Sequence, residues 1–581
     1  MASLEEKRHT LAHLLAAAVL ERYPHAKPTI GPAVDNGFYY DFDFSGGDAP
    51  KESDLAQLEE AMRDLLPSWT EMSGTEVSEK DARDRFAGNE YKIEIIGGIT
   101  EASDPITLYT AGSFTDLCRG GHSETPAHDI KPDSFALDRI AGAYWRGDET
   151  KPMLTRVYGL AFETKEDLDA YRAQIEEAKK RDHRKLGQDL KLFTLSSLVG
   201  SGLPLLQPKG ALIRREIEEY LWELHKERGY DRVWTPHLAK EDLYVVSGHA
   251  GHYLDDMFSV YGGTSKEKFH LKPMNCPHHM QLFLDNQFSY RDMPVRYFEP
   301  ATVYRDEKTG QLAGLTRVRS ITQDDGHLFC RVSQIEEEVG TIVNIVKEFY
   351  STMNMLDGYW VSLSVRGPGE KYLGTDEAWE VAEKALEDAA KANNLPYKRV
   401  EGEAAFYGPK LDFMFKDAIG REWQLATIQC DFNQPERFQL EYTNESGEKE
   451  RPVVIHRAIS GSLERFMGVM IEHFAGNFPV WLSPIQTRVL PVSEKHLPYA
   501  EQVMRELKAV GIRADVDAAN ESLGKKIRNA KTEKIPYVLV VGDAEVEAGT
   551  VSIESRDHGK QDAMKSEDFA ARIAEEARIR S

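Results

Sequence analysis

Two histidines four residues apart, His9 and His13, sit in the Ala/Leu-rich run RHTLAHLLA at residues 8–16. On a helix, positions i and i+4 share a face, so the two imidazoles are presented together. The zinc helices of pattern H-E-x-x-H use that spacing, but Thr10 stands where their catalytic Glu would be. The residues alone leave three readings open: a zinc site, a metal-free catalytic site, or two helix histidines. A second group is cationic. Arg305, Arg317 and Arg319 flank the loop DEKTGQLAG within residues 295–327. Arginines on paired strands converge on phosphate or carboxylate with fixed, bidentate geometry; the competing reading is a surface ladder with Asp306, Asp324 and Asp325. A third group is VIHRAISGSLERF, where a strand runs into Gly461-Ser462 and a helix opens with Arg465 in its first turn. A helix N-terminus favours phosphate.

These groups need elements to hold them. Residues 1–162 mix a first helix with strand-like stretches such as GFYYDFDF and PITLYTAG, which reads as an α+β domain. Residues 163–187 read as one charged linker helix. The block 188–480 holds helix patterns (GALIRREIEEYLWELHKERG) and strands (PVRYFEPATVYR, YWVSLSV, LDFMF) that mostly follow one another, which favours an antiparallel sheet. From 481 to 581, strands and helices alternate as in a small α/β domain.

A length of 581 residues suits three or four such domains. Apolar content of 41% and charged content of 29% are those of a soluble globular chain. No apolar run is long enough to span a membrane, and the start lacks the pattern of a secretory signal. Cys118, Cys276, Cys330 and Cys430 are few and scattered, as expected in a reducing cytoplasm. A net charge of −24 argues against indiscriminate nucleic-acid binding but not against RNA at a local patch. Such patches occur at KKRDHRK (179–185) and ESLGKKIRNAKTEK (521–534); taken alone, each is better read as a solvated helix face.

The arginine-bearing stretches, together with GYDRVWTPHL at 229–238, resemble the three signature motifs of class II aminoacyl-tRNA synthetases. KPMNCPHHM, LTRVRSITQDDGHLFC, FYGPKLDFMFKDAIGREWQLATIQCDFNQPERF and VIHRAISGSLERF resemble the threonyl-tRNA synthetases in particular, and CRGGH with HTLAH resembles that family's editing domain. The resemblance covers essentially the whole chain. It implies a multidomain α+β protein: an editing domain (1–162), the linker helix (163–187), a class II antiparallel-sheet core (188–480) and an α/β anticodon-binding domain (481–581). The implied activity is ATP-dependent ligation of L-threonine to tRNA(Thr) through threonyl-adenylate, in a cytoplasmic homodimer paired near Pro236.

The resemblance also implies roles. Cys276, His327 and His456, separated by 51 and 129 residues (327 − 276 and 456 − 327), would bind one zinc ion per subunit. Three protein ligands leave an open position, which threonine fills with its amino and hydroxyl groups. Valine is excluded, where an apolar pocket would reject it only about 100-fold. Asp325 would hold the substrate ammonium, with Gln323, Tyr407 and Gln429 completing the pocket. Arg305 would hold the α-phosphate and Arg465 the γ-phosphate of ATP, accompanied by Mg²⁺. Arg317 and Glu307 would contact the phosphate and adenine region, with Lys410, Gln424 and Ser462 at the same site. His249 would act as base in transfer to tRNA. Serine passes a zinc selector, so a second, hydrolytic site is required. His9, His13, Cys118 and His122 match that metal-free pocket, supported by Tyr40, Lys92 and Asp116. Asn520 and Glu545 match anticodon-facing positions.

Some departures stand out. The family usually begins with a small ubiquitin-like domain, whereas RHTLAH starts at residue 8 here; NCPHH replaces the more usual NCPGH, and CRGGH replaces CRGPH. Two alternatives remain: a non-catalytic paralogue that binds tRNA or senses amino acids, and a zinc hydrolase built on the N-terminal histidines. The first should have lost an arginine or a zinc ligand, and all are present.

Overall fold

The structure is a computed structural model and describes residues 2–264, 266–369 and 372–580. The chain divides into two compact units, one up to Glu176 and the other from Glu177 onward. No helix among the described residues is long and apolar enough to cross a membrane.

In the first unit, α1 (Leu4–Arg22) starts at a capping box: Ser3 Oγ accepts the Glu6 N–H at 3.2 Å, and Glu6 accepts the Ser3 N–H at 2.7 Å. This pairs two backbone donors that a helix start otherwise leaves open. Residues Thr10 to Val19 of α1 are all buried, which fits a helix that is apolar nearly all round. It packs against β1 (Gly37–Asp43) and α2 (Leu55–Leu65). A second layer carries β2 (Met72–Glu76), α3 (Glu90–Glu101), β3 (Thr107–Ala111) and β4 (Phe114–Leu117), with β2, β3 and β4 in one antiparallel sheet. β5 (Phe135–Tyr144) and β6 (Met153–Ala161) complete the sheet begun by β1, in the order β1-β6-β5.

The single charged helix expected over 163–187 is two helices, α4 (Lys165–Arg181) and α5 (His183–Asp189). Asp182 makes the break: its side chain accepts the Arg184 N–H at 2.8 Å and caps α5. Asp competes with helix backbone in this way and is favoured at caps over interiors.

The second unit is built on an eight-stranded sheet. Its elements in chain order are α6 (Pro208–Lys226), β7 (Asp231–Arg232), α7 (His249–Tyr253), α8 (Cys276–Leu284), β8 (Val295–Tyr304), β9 (Ser320–Cys330), α9 (Ile335–Thr352), β10 (Trp360–Val365), α10 (Asp376–Ala392), β11 (Tyr397–Glu401), β12 (Lys410–Lys416), β13 (Glu422–Asp431), β14 (Val453–Ala458) and α11 (Leu463–His473). The spatial order is β7-β8-β9-β14-β13-β12-β10-β11, antiparallel except for the two edge pairs. Side chains alternate between faces along each strand. One face sends Leu328, Ile455, Ile428 and Leu411 into a core with Val346 and Phe349 of α9 and Phe466 of α11. The other face carries Gln323, Asp325 and His327 at alternate positions of β9. His327 pairs in register with His456 of β14, which pairs with Gln429 of β13. Three adjacent strands therefore align three polar side chains on one rung.

The C-terminal part of this unit alternates β15 (Thr487–Pro491), α12 (Leu497–Ala509), β16 (Ala514–Val516), α13 (Leu523–Thr532), β17 (Tyr537–Val541), α14 (Asp543–Ala548) and β18 (Thr550–Ser555). β16, β15 and β17 run parallel, and β18 is antiparallel to β17.

Candidate functional site

The rung formed by β9, β14 and β13 lines a cavity of about 120 Å³ that also takes in Cys276, Asp325 and Tyr407. Cys276 is the first residue of α8 and is buried. The ligand atoms of Cys276, His327 and His456 all lie within 4.8 Å of one another. Carboxylates behind the two histidines set the hydrogens. His456 Nε2 donates to Asp431 at 2.8 Å, which leaves its Nδ1 as a lone pair. His279 Nε2 donates to Glu299 at 3.1 Å, so His279 Nδ1 accepts from His327 Nδ1 at 2.8 Å and leaves His327 Nε2 as a lone pair. Those two lone-pair nitrogens face each other at 2.9 Å. Burial raises the Glu299 carboxyl, but His279, Asn275 and Lys272 bring it down to about 2, so it stays ionised. Burial pushes the Cys276 thiol well up, so its thiolate needs a cation beside it. One thiolate and two imidazole lone pairs, one ring anchored directly by Asp431 and the other through His279 by Glu299, fit a zinc ion.

Around this set, Tyr407 donates its hydroxyl to Gln429. Asp325 faces the same cavity, and burial raises its carboxyl above the usual range. His249 is buried with Nδ1 2.8 Å from Ser247 Oγ and Nε2 3.6 Å from Cys276 Sγ. Lys410 occupies the same rung one strand further out, beside Gln429, but its ammonium is paired with Asp412 at 2.5 Å and lines neither this cavity nor its neighbour.

The neighbour is a larger cavity of about 650 Å³. Arg305 and Gln323 border both cavities. The loop between β8 and β9 contributes Glu307, Gln311 and Arg317, with Arg317 bonded to Glu307 at 2.9 Å and to Gln311 at 3.1 Å. Arg319 does not face the cavity; it donates to the Glu307 carbonyl at 2.8 Å and braces the loop. Gln424 and Ser462 line the far side. Ser462 Oγ accepts the Arg465 N–H at 3.2 Å and caps α11. The preceding Gly461 turns at φ +72°, where a Cβ would lie 2.8 Å from the Leu425 carbonyl, so glycine is required there. Arg465 lines the cavity from the first turn of α11, with its Nε buried and without a hydrogen-bond partner. Burial and Arg317 together lower its hold on the proton. Arg465, with no carboxylate paired to it, and Arg305 line this cavity beside the Glu307-paired Arg317, a cationic wall that suits an anion.

The ladder of arginines and aspartates is realised only in part. Arg319 pairs with Asp306 at 3.5 Å. Asp324 turns to the opposite face of β9, where it accepts the Ile459 N–H at 2.8 Å and the Ser460 N–H at 3.0 Å and so holds the turn before α11. Burial carries Asp324 up to about 6 despite Arg457 beside it.

The first unit brings His9, His13, Cys118 and His122 together, with ligand atoms within 4.8 Å of one another. Cys118 Sγ lies 3.4 Å from both His9 Nε2 and His122 Nε2. Behind them Asp116 is buried, 3.1 Å from His13 Nδ1, paired with Lys92 and accepting from Tyr40. A cavity of about 450 Å³ opens onto this group, with Arg119 and Arg146 at its wall.

The charges here are strongly coupled. Burial pushes the Cys118 thiol up, but His122, His13 and His9 bring it down to about 3. Burial pushes His13 down, but Asp116 and Cys118 carry it up to about 9. His13 alone therefore lends stability that is complete below its ordinary 6.5 and is lost as pH rises toward 9. Cys118 alone lends stability that is complete above its ordinary 9.0 and is lost as pH falls toward 3. Between pH 6.5 and 9 the two slopes oppose each other. Cys118→Ser keeps the His13–Asp116 pair, so the variant's melting midpoint is expected to fall across that window relative to the parent. A thermal-denaturation series running parallel to the parent's would remove this account.

Asn520 is exposed in the loop before α13. Glu545, in the first turn of α14, is half-buried and accepts from Gly542 N at 2.8 Å and Ser552 Oγ at 2.7 Å. The basic helix α13 is less free than its composition suggests. Lys526 is buried on the Asp517 carbonyl at 2.9 Å, Lys525 pairs with Glu521 and Lys531 with Glu554.

Sequence reasoning missed His279, Glu299 and Asp431. A signal was present for Glu299, which sits in the middle of β8 beside Tyr297, Phe298 and Ala301, where a lone charge needs a buried partner.

Residues 258–474 match the family model described as the tRNA synthetase class II core domain (G, H, P, S and T), and residues 486–576 match the anticodon binding domain. The chain is 48% identical over 566 residues to a threonine–tRNA ligase of Gloeobacter violaceus, covering 96% of this chain and 90% of that relative. It is 48% identical over 576 residues to one from Rubrobacter xylanophilus, covering 99% and 89%. Among solved structures, one titled as the RNA binding domain of threonyl-tRNA synthetase from Cryptosporidium parvum aligns with a TM-score of 0.65 at 37% identity, over 68% of this chain and 98% of that one. A putative threonyl-tRNA synthetase from Aeropyrum pernix aligns at 0.60 and 30% identity, over 69% and 97%.

Proposed function

The chain belongs to the threonine–tRNA ligases, and from that premise we propose how its three cavities divide the work. The observation that carries the reading is the shared wall: a thiolate–imidazole group that fits zinc adjoins a cavity lined by unpaired arginine, with Arg305 and Gln323 bordering both.

Threonine occupies the smaller cavity and ATP the larger. Asp325 holds the substrate ammonium, while Gln323, Tyr407 and Gln429 fix the amino acid's orientation. Cys276, His327 and His456 would hold a zinc ion, which would supply a coordination position that a side-chain hydroxyl satisfies and a methyl group does not. Arg305, at the junction, neutralises the α-phosphate as the threonine carboxylate attacks it. The new bond joins carboxylate oxygen to phosphorus, and pyrophosphate leaves. Such a step depends on positioning and charge neutralisation more than on acid–base groups. Arg465 and Arg317 grip the outer phosphates with Mg²⁺, and Glu307, Gln424 and Ser462 line the nucleotide's remaining surface. Lys410 acts through Asp412 rather than on substrate. His249 then serves as base when the terminal adenosine of tRNA takes the threonyl group.

The first unit hydrolyses seryl-tRNA. The group His9, His13, Cys118 and His122 orders a water against the ester, with Asp116, Lys92 and Tyr40 holding His13 in place. The C-terminal part, with Asn520 and Glu545, meets the anticodon. The chain works in the cytoplasm as a homodimer paired through the segment around Pro236, where Trp234 is 74% exposed.

Serine supplies the test of the editing reading. The intact enzyme is expected to release serine from preformed seryl-tRNA(Thr), and His13→Ala to slow release about 100-fold, the scale of lost acid–base or positioning catalysis. Threonine-dependent ATP–pyrophosphate exchange should stay at the parental rate in that variant. Undiminished release of serine would exclude this pocket as the hydrolytic site.

A further inference from the structure

The two elements that face the larger cavity are tied together by a histidine that neither of them carries. His183 opens α5 and is buried. Its Nδ1 lies 2.6 Å from Glu472, and the same carboxylate oxygen accepts the His183 backbone N–H at 3.0 Å. The other oxygen of Glu472 takes the Arg421 guanidinium, which Asp417 braces at 2.7 Å. On its far side, His183 Nε2 accepts the backbone N–H of Leu315 at 3.0 Å. A carboxylate at one end and an N–H at the other fix the ring as the Nδ1–H tautomer. Both nitrogens and the carboxylate are thereby engaged, so the grouping of Asp182, His183 and Glu472 has no free ligand face for a metal.

What the ring joins gives it meaning. Glu472 is near the end of α11, the helix whose first turn carries Arg465. Leu315 is in the loop that carries Glu307, Gln311 and Arg317 into the same cavity. The seat is tight. Gly314 turns at φ +53°, and a Cβ there would lie 2.1 Å from His183 Nε2. On α11, a Cβ at Gly468 would lie 3.2 Å from Thr316 and 3.4 Å from Leu315. Glycine on both sides lets the loop lie directly on the helix and the ring.

We propose that His183 is a positioning residue for ATP: it pins the 305–319 loop to α11, so that Arg317 and Glu307 meet the nucleotide at a fixed distance from Arg465. The proposal rests on the reading above that this cavity takes ATP. His183 itself lines neither cavity and acts only through Leu315 and Glu472.

The experiment is pyrophosphate exchange with the full chain, varying ATP and threonine separately. His183→Asn keeps a donor toward Glu472 and removes the acceptor for Leu315. His183→Gln restores an acceptor at the Nε2 position. The Asn variant should raise KM for ATP about 5- to 10-fold, the scale of one lost hydrogen bond, with KM for threonine unchanged. The Gln variant should recover most of that loss. Gly314→Ala keeps the ring and disturbs the same contact from the loop side, where its Cβ would press on His183 Nε2, and should also raise KM for ATP. Arg317→Ala is the control for the cavity. If it leaves KM for ATP unchanged, the ATP reading fails and the proposal with it. If it raises KM while His183→Asn and Gly314→Ala do not, the latch alone is overturned. Equal losses of kcat and melting temperature in the Asn and Gln variants, with KM for ATP unmoved, would mark His183 as merely structural and also overturn it.

Discussion

Arg305→Ala is expected to lower threonine-dependent ATP–pyrophosphate exchange about 10²- to 10³-fold, the usual cost of removing one preorganised donor from a site of developing charge. The size follows from position. Arg305 directly follows β8 where the two cavities meet, and its backbone N–H is fixed by the Arg319 carbonyl at 3.0 Å. A guanidinium held by a sheet needs little reorganisation when charge builds on phosphorus. Arg305→Lys should recover little, because one ammonium does not reproduce a bidentate fork. The measurement is isotope exchange at saturating ATP and threonine, with folding checked by thermal denaturation. Exchange within ten-fold of the parent would remove Arg305 from the α-phosphate.

Cys276→Ser carries the second large effect. The parent chain should contain one zinc by metal analysis, and the variant none. Threonine activation should fall by more than about 100-fold, since losing even an outer partner of a metal ligand costs about 10- to 100-fold. Glu299→Gln tests that outer layer. It leaves Cys276, His327 and His456 in place but weakens the hold on His279, and so on His327. It should bind zinc about 10- to 100-fold more weakly. His9→Ala should leave the zinc count unchanged. A second zinc that disappears in His9→Ala would instead support a metal hydrolase in the first unit. Full threonine activation by a zinc-free Cys276→Ser chain would end the idea of a metal selector.

Much of this arrangement was legible in short stretches. The arginines announce themselves because phosphate chemistry places them at strand ends and helix starts, which local pattern reveals. The alternation of strands and helices after 481 is equally local. The zinc candidates are different. Cys276, His327 and His456 have no ribbon spacing, and only the register of β9 against β14 brings the two histidines face to face. Pairing at that range is not written in any window of residues, so family resemblance had to supply it. The partners behind them, Glu299, His279 and Asp431, were missed for the same reason. The linker was misjudged on a local point: a charged run favours helix on average, but Asp182 bonds forward to Arg184 and starts a new one. The histidine pair that looked like half a zinc helix is one wall of a pocket whose other wall, Cys118 and His122, lies more than a hundred residues away in sequence.

The rung that aligns His327, His456 and Gln429 also bears on how the chain reaches its final state. A slip of one residue in any of the three strands would turn that strand's side chains to the opposite face, sending an imidazole or the Gln429 amide toward the apolar core and core side chains such as Leu328, Ile455 or Ile428 toward the pocket. If this rung holds zinc as proposed, metal uptake would therefore report correct pairing. The contact between His327 and His456 spans 129 residues, and contacts of such range form late because their loop-closure entropy comes first. Zinc acquisition should be among the last events of refolding, after the helices have formed. A chain that holds zinc tightly has already aligned the central strands of its sheet.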